Sequence, residues 1–345
     1  MELAVCGRGP AVDAIAAAAE DIDGTVRQIE PTALSEETAS LPATGAVVAP
    51  TGAEVFPVAT DHFDRWVAVE IGGLGGYPID DIDAAVTTFG PDTACYRCLT
   101  YRVGAHEDAS GESPHGDRST VRLAGAIAGN RLISLLAGET TGGTIRELPG
   151  PERHLLSVPD CDCGSDGAVS RSLPLTHRSV AVDDALTRAE RAVDERVGLV
   201  TTVGERESFP APYYIADIAD TTGFSDTAAA DLAAGVDPDW DRAYMKAIGE
   251  ALERYSAGVY RTRAATRGSE RTLAAPISPR RFVRPDGFDH PEPDHRIDWI
   301  EGRSLPDGEA VSLPAEFVWV TRPTTRYRPA STTGLGHGNA PIAAL

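Results

Sequence analysis

With 345 residues, 42% of them hydrophobic, the chain is long enough for two cores of ordinary domain size, roughly 100–200 residues each. Its formal net charge of -21, from 52 acidic and 31 basic residues, with Lys246 as the one lysine, repels polyanions and argues against nucleic-acid binding by phosphate neutralisation. No apolar run reaches the roughly 18 residues of a membrane span and the N-terminus carries no cationic leader, so the expected location is the cytoplasm.

The acidity together with the near absence of lysine suits a cytoplasm rich in salt, and the chain reads as a halophile's, with a haloarchaeal origin expected. A GC-rich genome would explain the lysine deficit but not the acidity.

In chain order, Leu3–Cys6 is an apolar strand, Gly7-Arg-Gly9-Pro10 a turn, and an alanine-rich helix follows through Ala19. This strand, glycine turn and helix open a Rossmann-like unit. Gly7 and Gly9 either cradle a phosphate or simply turn the chain; Val12 stands where the third glycine of a dinucleotide fingerprint belongs. Strand signals at Gly45–Ala49 and Trp66–Ile71 predict a partly parallel α/β sheet. Gly72-Gly-Leu-Gly-Gly76 is either a plain loop or a place where backbone passes close to a partner. Residues 103–117 read as an exposed polar loop, Ser119–Ala137 as a buried helix and Pro159–Ser172 as irregular chain. Val180–Val197 reads as an amphipathic helix with Asp183 and Asp184 in its first turn. The domain boundary is expected near residues 170–180, giving domains 1–175 and 176–345.

Cys95-Tyr-Arg-Cys98 and Cys161-Asp-Cys163 form two close pairs whose four soft thiolates suit structural Zn²⁺ in a reducing compartment. Free thiols or a redox pair are the alternatives, and Cys6 reads as a core residue. The run Ala94-Cys-Tyr-Arg-Cys-Leu-Thr-Tyr-Arg102, with its distant second pair, resembles the zinc-bearing E1-like domain of thiazole/oxazole-modified microcin synthetases. That resemblance implies a scaffold that presents a precursor peptide to a partner and has lost adenylation.

Ala243–Tyr255 is a helix by composition, with Glu250 and Glu253 three apart on one face and Met245, Ile248, Leu252 and Tyr255 as an apolar stripe. Two readings stand: hard oxygen ligands for Mg²⁺ beside nucleotide phosphates, or a solvated face on which Lys246 pairs Glu250 at i, i+4. The segment resembles the first ATP-site motif of YcaO proteins, and the resemblance places magnesium and phosphate roles on Glu250, Glu253 and Arg254, with Lys246 where serine is common. Val197–Thr201, Trp299–Leu305 and Leu313–Ala315 resemble strands of the same fold, expected as a mixed α/β domain. Ser331–Asn339 resembles the family's glycine-rich segment.

Ala343 stands where that family has a glutamate, and its later acidic helix and C-terminal tail have no counterpart here, so the expectation is an incomplete YcaO domain holding about half of an ATP site. The resemblance implies ATP-dependent cyclodehydration, in which a Cys, Ser or Thr side chain of a ribosomal precursor peptide attacks the preceding amide carbonyl. ATP phosphorylates the resulting oxyanion, and loss of phosphate leaves an azoline. Implied partners are the peptide, a flavin-dependent azoline dehydrogenase, a polypeptide carrying the other half of the domain, and a second copy in a homodimer. Two rival readings remain: a non-catalytic, zinc-stapled docking subunit, and an adenylating enzyme of the E1 type using Gly7 and Gly9.

Overall fold

The computed structural model describes residues 2–35, 41–106, 113–139, 142–159, 161, 163, 176–321, 326–339 and 341–344. The fold is mixed α/β and divides into two compact units. One comprises Met1–Ser172 with Thr187–Thr202, the other Leu173–Leu186 with Val203–Leu345.

The first unit is built on β1 (Glu2–Cys6), α1 (Pro10–Glu20), β2 (Thr25–Ile29), α2 (Pro31–Ser35), β3 (Thr44–Pro50), α3 (Val55–His62), β4 (Arg65–Ile71), the short pair β5 (Gly73–Leu74) and β6 (Tyr77–Pro78), and β7 (Ala84–Phe89). It continues with α4 (Tyr96–Gly104), α5 (Arg118–Ala137), β8 (Thr144–Leu148) and β9 (Glu152–His154). Seven strands form one sheet in the order β2-β1-β3-β4-β7-β8-β9. The first four run parallel and the rest antiparallel. Strands β1, β3 and β4 are buried over most of their length, as continuous apolar runs require when both faces of a sheet are covered.

Helices α1 and α5 meet at glycine. A Cβ on Gly125 would fall 2.3 Å from the Ala11 carbonyl oxygen, and one on Gly129 2.5 Å from Ala18 Cβ. Val5, Val12, Ile15, Val48, Val69, Val86 and Leu132 close the core beneath them. The Asp117 side chain accepts from the Ser119 and Thr120 amides to cap α5, which ends at Gly138 in the left-handed conformation, a residue type that tolerates it without strain.

The expected helix over 180–197 is shorter. It comprises α6 (Val182–Ala189) and a 3₁₀ turn, Glu190–Ala192. Asp194 ends it. Its carboxylate accepts from the Arg196 and Val197 amides at 2.8 and 3.0 Å and binds Arg153 Nη1, and these contacts draw the chain out of the helical path. Arg153 also engages the Glu147 carboxylate, 3% exposed, from Nε at 2.8 Å, so residues 194–197 are stitched to β8 and β9.

The second unit has two three-stranded sheets. One is β10 (Val200–Glu207), β11 (Tyr213–Ile218) and β12 (Leu232–Val236). The other, which follows α7 (Trp240–Ala257), is β13 (Thr266–Gly268), β14 (Ile297–Arg303) and β15 (Ala310–Pro314); α8 (Pro341–Ala344) comes last. Helix α7 starts at Asp239, whose side chain accepts from the Arg242 amide at 3.0 Å. Its buried face is Ala243, Ala247, Ile248, Ala251 and Tyr255. These small residues let it lie directly on β12, where a Cβ on Gly235 would meet the Ala243 carbonyl oxygen at 2.2 Å. Of the expected apolar stripe, Ile248 and Tyr255 are buried while Met245 and Leu252 are half-buried; alanine does the packing in their place.

Candidate functional sites: a tetrathiolate and an acidic cleft

The four expected thiols converge. Cys95 caps the N-terminus of α4 and Cys98 lies in its first turn, where the helix dipole favours thiolate charge. The Sγ–Sγ separations are 3.8 Å for Cys95–Cys98, 3.7 Å for Cys95–Cys161 and 3.5 Å for Cys98–Cys163, and all four sulfurs lie within 4.8 Å of one another. A tetrahedron with metal–sulfur bonds of about 2.3 Å has edges of about 3.8 Å, whereas a disulfide closes to about 2.05 Å. The donor set therefore fits a tetrahedral ion. Hydrogen bonding to Cys161 holds the Cys95 and Cys98 thiols well above their ordinary range, while the bond to Cys163 pulls Cys161 well below it.

Three features seat this cluster. The Val158 amide donates to Cys98 Sγ at 3.3 Å. Buried Arg102 donates to the Leu156 and Ser157 carbonyls at 3.2 and 2.8 Å, which holds the segment leading to the second pair alongside α4. Between the first two cysteines, Tyr96 stacks on Phe56 with ring centroids 5.2 Å apart and donates its hydroxyl to Glu70 Oε1 at 2.8 Å.

Glu70 was not among the expected site residues. It is wholly buried, and its carboxylate accepts from the Gly75 amide (2.8 Å), the Gly76 amide (3.0 Å), the Thr51 hydroxyl (2.9 Å) and Tyr96. The glycine run 72–76 is thus folded around an internal carboxylate. A Cβ on Gly72 would meet the His115 amide nitrogen at 2.3 Å, and Gly75 sits at φ +62° against Val103. A lone glutamate in an apolar strand is the signal that points to such an anchor.

Gly7 is also explained by packing. At φ +126°, a Cβ there would lie 2.3 Å from the Val48 carbonyl oxygen, and Val12 is in the core.

In the second unit, Lys246, Gly249, Glu250 and Glu253 recur at i, i+3, i+4 and i+7 along α7 and, with Met245, line a cleft of about 290 Å³ whose remaining wall is His337, Gly338 and Asn339. The expected Lys246–Glu250 pair does not form. Lys246 Nζ binds Asp237 Oδ2 at 2.7 Å and the Val236 carbonyl at 3.0 Å, because the residues just before the helix lie nearer than the next turn. Arg254 takes Glu250 instead, with Nε 2.9 Å from Oε1. Glu253 is half-buried and, among the described residues, has no hydrogen-bond or ion-pair partner. It is an oxygen donor open to a cation.

A larger cavity of about 640 Å³ lies elsewhere in this unit, lined by residues of 262–327. Its Arg267 and Arg326 are already paired with Asp298 and Asp289 at 3.1 and 2.9 Å, so the smaller cleft, with a carboxylate that has no partner among the described residues, is the better candidate for nucleotide chemistry.

Residues 234–345 match the model of the YcaO family, described as YcaO cyclodehydratase, ATP- and Mg²⁺-binding; the segment spans α7, the cleft and the second sheet. The whole fold is similar to two solved structures. A heterocyclase in complex with substrate and cofactor superposes with a TM-score of 0.60 at 17% identity, covering 99% of this chain and 54% of its own. The heterocyclase TruD superposes with a TM-score of 0.54 at 15% identity, covering 98% and 51%. The chain therefore spans about half the length of these structures. No curated protein matches it in sequence. Among the described residues no helix is long and apolar enough to cross a membrane.

Proposed function

We propose that this chain works in ATP-dependent heterocycle formation on a ribosomally made precursor peptide. Residues 176–345 hold the nucleotide. Residues 1–175 act as an E1-like, zinc-stapled module that presents the peptide. The reading rests above all on one observation: Glu253, a half-buried carboxylate without a partner among the described residues, lines a cleft with Glu250 inside the segment that matches a nucleotide- and magnesium-binding family.

The donor set suits the ion. Glu250 and Glu253 offer hard oxygens for Mg²⁺, which would neutralise charge on the transferring phosphoryl group. Arg254, hydrogen-bonded at Glu250 and not itself in the cleft lining, would exchange that partner for phosphate, a comparable charge-assisted acceptor. In the first unit, Cys95, Cys98, Cys161 and Cys163 would hold Zn²⁺ with no open position, a structural role. The close packing of Gly7 on Val48 speaks for peptide presentation over adenylation there.

The test is calorimetric titration of Mg²⁺-ATP in high salt into the wild type and into Glu250→Ala/Glu253→Ala. Binding by the wild type that falls at least about tenfold in the double variant is expected; equal binding, or none in either, overturns a nucleotide site at α7. One feature favours a second reading, a docking subunit without catalysis: Arg254 already occupies Glu250 and leaves Glu253 as the cleft's one carboxylate without a partner among the described residues. Absence of nucleotide binding by the wild type would move the assignment to that reading.

A further inference from the structure

The wall of the cleft that faces α7 is made by His337, Gly338 and Asn339, the end of the segment 331–339, whose resemblance to a glycine-rich motif assigns no role to single residues. We propose that His337 is a phosphate-binding residue of this cleft, its imidazole donating to the nucleotide's phosphate oxygens beside the Glu250–Glu253 pair. The inference rests on the nucleotide reading above and names the group that would hold the anionic end of the ligand.

Position comes first. The backbone on either side of His337 is fixed by glycines that have no room for a side chain. A Cβ on Gly336 would fall 2.0 Å from the Ala344 carbonyl oxygen, and one on Gly338 2.8 Å from the Ala343 carbonyl carbon. The segment is therefore pressed onto α8 with His337 held between two anchored points. Its ring edge rests over α7 at Gly249, where a Cβ would come to 3.4 Å from His337 Cδ2. The imidazole thus stands in van der Waals reach of the turn that carries the carboxylate stripe.

Supply of donors comes second. Two glutamates make the cleft acidic, so a polyphosphate needs both a cation on the carboxylates and uncommitted donors on its own oxygens. Lys246, the cationic side chain lining the cleft, is bound to Asp237 and the Val236 carbonyl. Among the described residues His337 makes no hydrogen bond, and its imidazole is free to donate. Direct metal ligation is the weaker role, because among the described residues His337 does not join Glu250 and Glu253 in a converging set of three or more ligand atoms; the four thiols are such a set.

The test uses the full chain in high salt. Mg²⁺-ATP affinity is measured for the wild type, His337→Ala, His337→Gln and Glu250→Ala/Glu253→Ala, with adenosine measured by displacement of a fluorescent nucleotide and thermal melting as a check on folding. Loss of one hydrogen bond to a charged group should weaken Mg²⁺-ATP about tenfold or more in His337→Ala and leave adenosine unchanged. His337→Gln, which keeps a donor, should recover most of the loss. Unchanged Mg²⁺-ATP affinity in His337→Ala, or an equal loss for adenosine, overturns the assignment and makes the ring a packing element. If the wild type binds and the glutamate variant does not, while His337→Ala binds normally, the nucleotide reading stands and only this inference falls. If the wild type binds no nucleotide, both fall.

Discussion

At the scale of single residues, Glu70 carries the sharpest consequence. Its two oxygens accept four hydrogen bonds inside the core: the Gly75 amide on Oε2, and Gly76, Thr51 and Tyr96 on Oε1. Glu70→Gln preserves size and one acceptor oxygen but turns an NH₂ group toward an amide that can only donate. Leaving such a group unsatisfied costs about 1–3 kcal/mol, so the variant should unfold at lower urea, and because Tyr96 lies between two of the thiols it should also bind the Zn²⁺ proposed for them more weakly. Burial holds the Glu70 carboxyl above the ordinary carboxylate range despite its donors. A value raised on folding gives a stability contribution that is complete below the unfolded-state range and is lost as pH rises through the folded value. The wild type should carry that falling slope in urea midpoints measured against pH, and Glu70→Gln should lack it.

At the scale of elements, what was legible in the sequence followed burial. Strands β1, β3 and β4 are apolar runs, legible at Leu3–Cys6, Gly45–Ala49 and Trp66–Ile71; α5 is legible from its period and α7 from its composition. What was not legible depends on distant partners. Strand β2, Thr-Val-Arg-Gln-Ile, is half polar and exists because β1 pairs with it. Helix α6 stops early because Asp194 turns to Arg153, 41 residues away in sequence. Lys246 chose Asp237 over Glu250 for a reason that only the path into α7 reveals, and His337 sits on no periodic element at all.

The Arg153 junction makes an element-scale prediction. Arg153→Met would leave the 3%-exposed Glu147 with Arg196 Nε, at 2.9 Å, as its remaining ion-pair partner and release Asp194. Removing one partner of a buried pair costs about 3–5 kcal/mol; Arg196 should hold the loss near the lower end. Urea unfolding should show this drop, and Glu147→Met/Arg153→Met should recover part of it, since no uncompensated charge then remains at Glu147.

At the scale of the molecule, 52 acidic residues face 31 basic ones, and salt acts on this excess in two opposed ways. It weakens the exposed ion pairs, such as Arg8–Glu30 and Arg271–Asp294, whose side chains are 60–78% exposed; such pairs contribute little, because water already screens them. It also screens the self-repulsion of a net charge of -21, and this acts over the entire surface. Between about 0.1 M and 1 M salt the screening length falls from about 10 Å to about 3 Å, shorter than most separations between like charges on a surface but comparable to a contact pair. Repulsion is therefore removed more completely than pairing, while the buried Arg153–Glu147 pair is little affected. The melting temperature should rise as KCl is increased over this range and then level off. Calorimetric scans in KCl, a salt with little direct effect on apolar burial, test this: a flat or falling melting temperature would mean that paired charges, not the acidic excess, govern the stability of the fold.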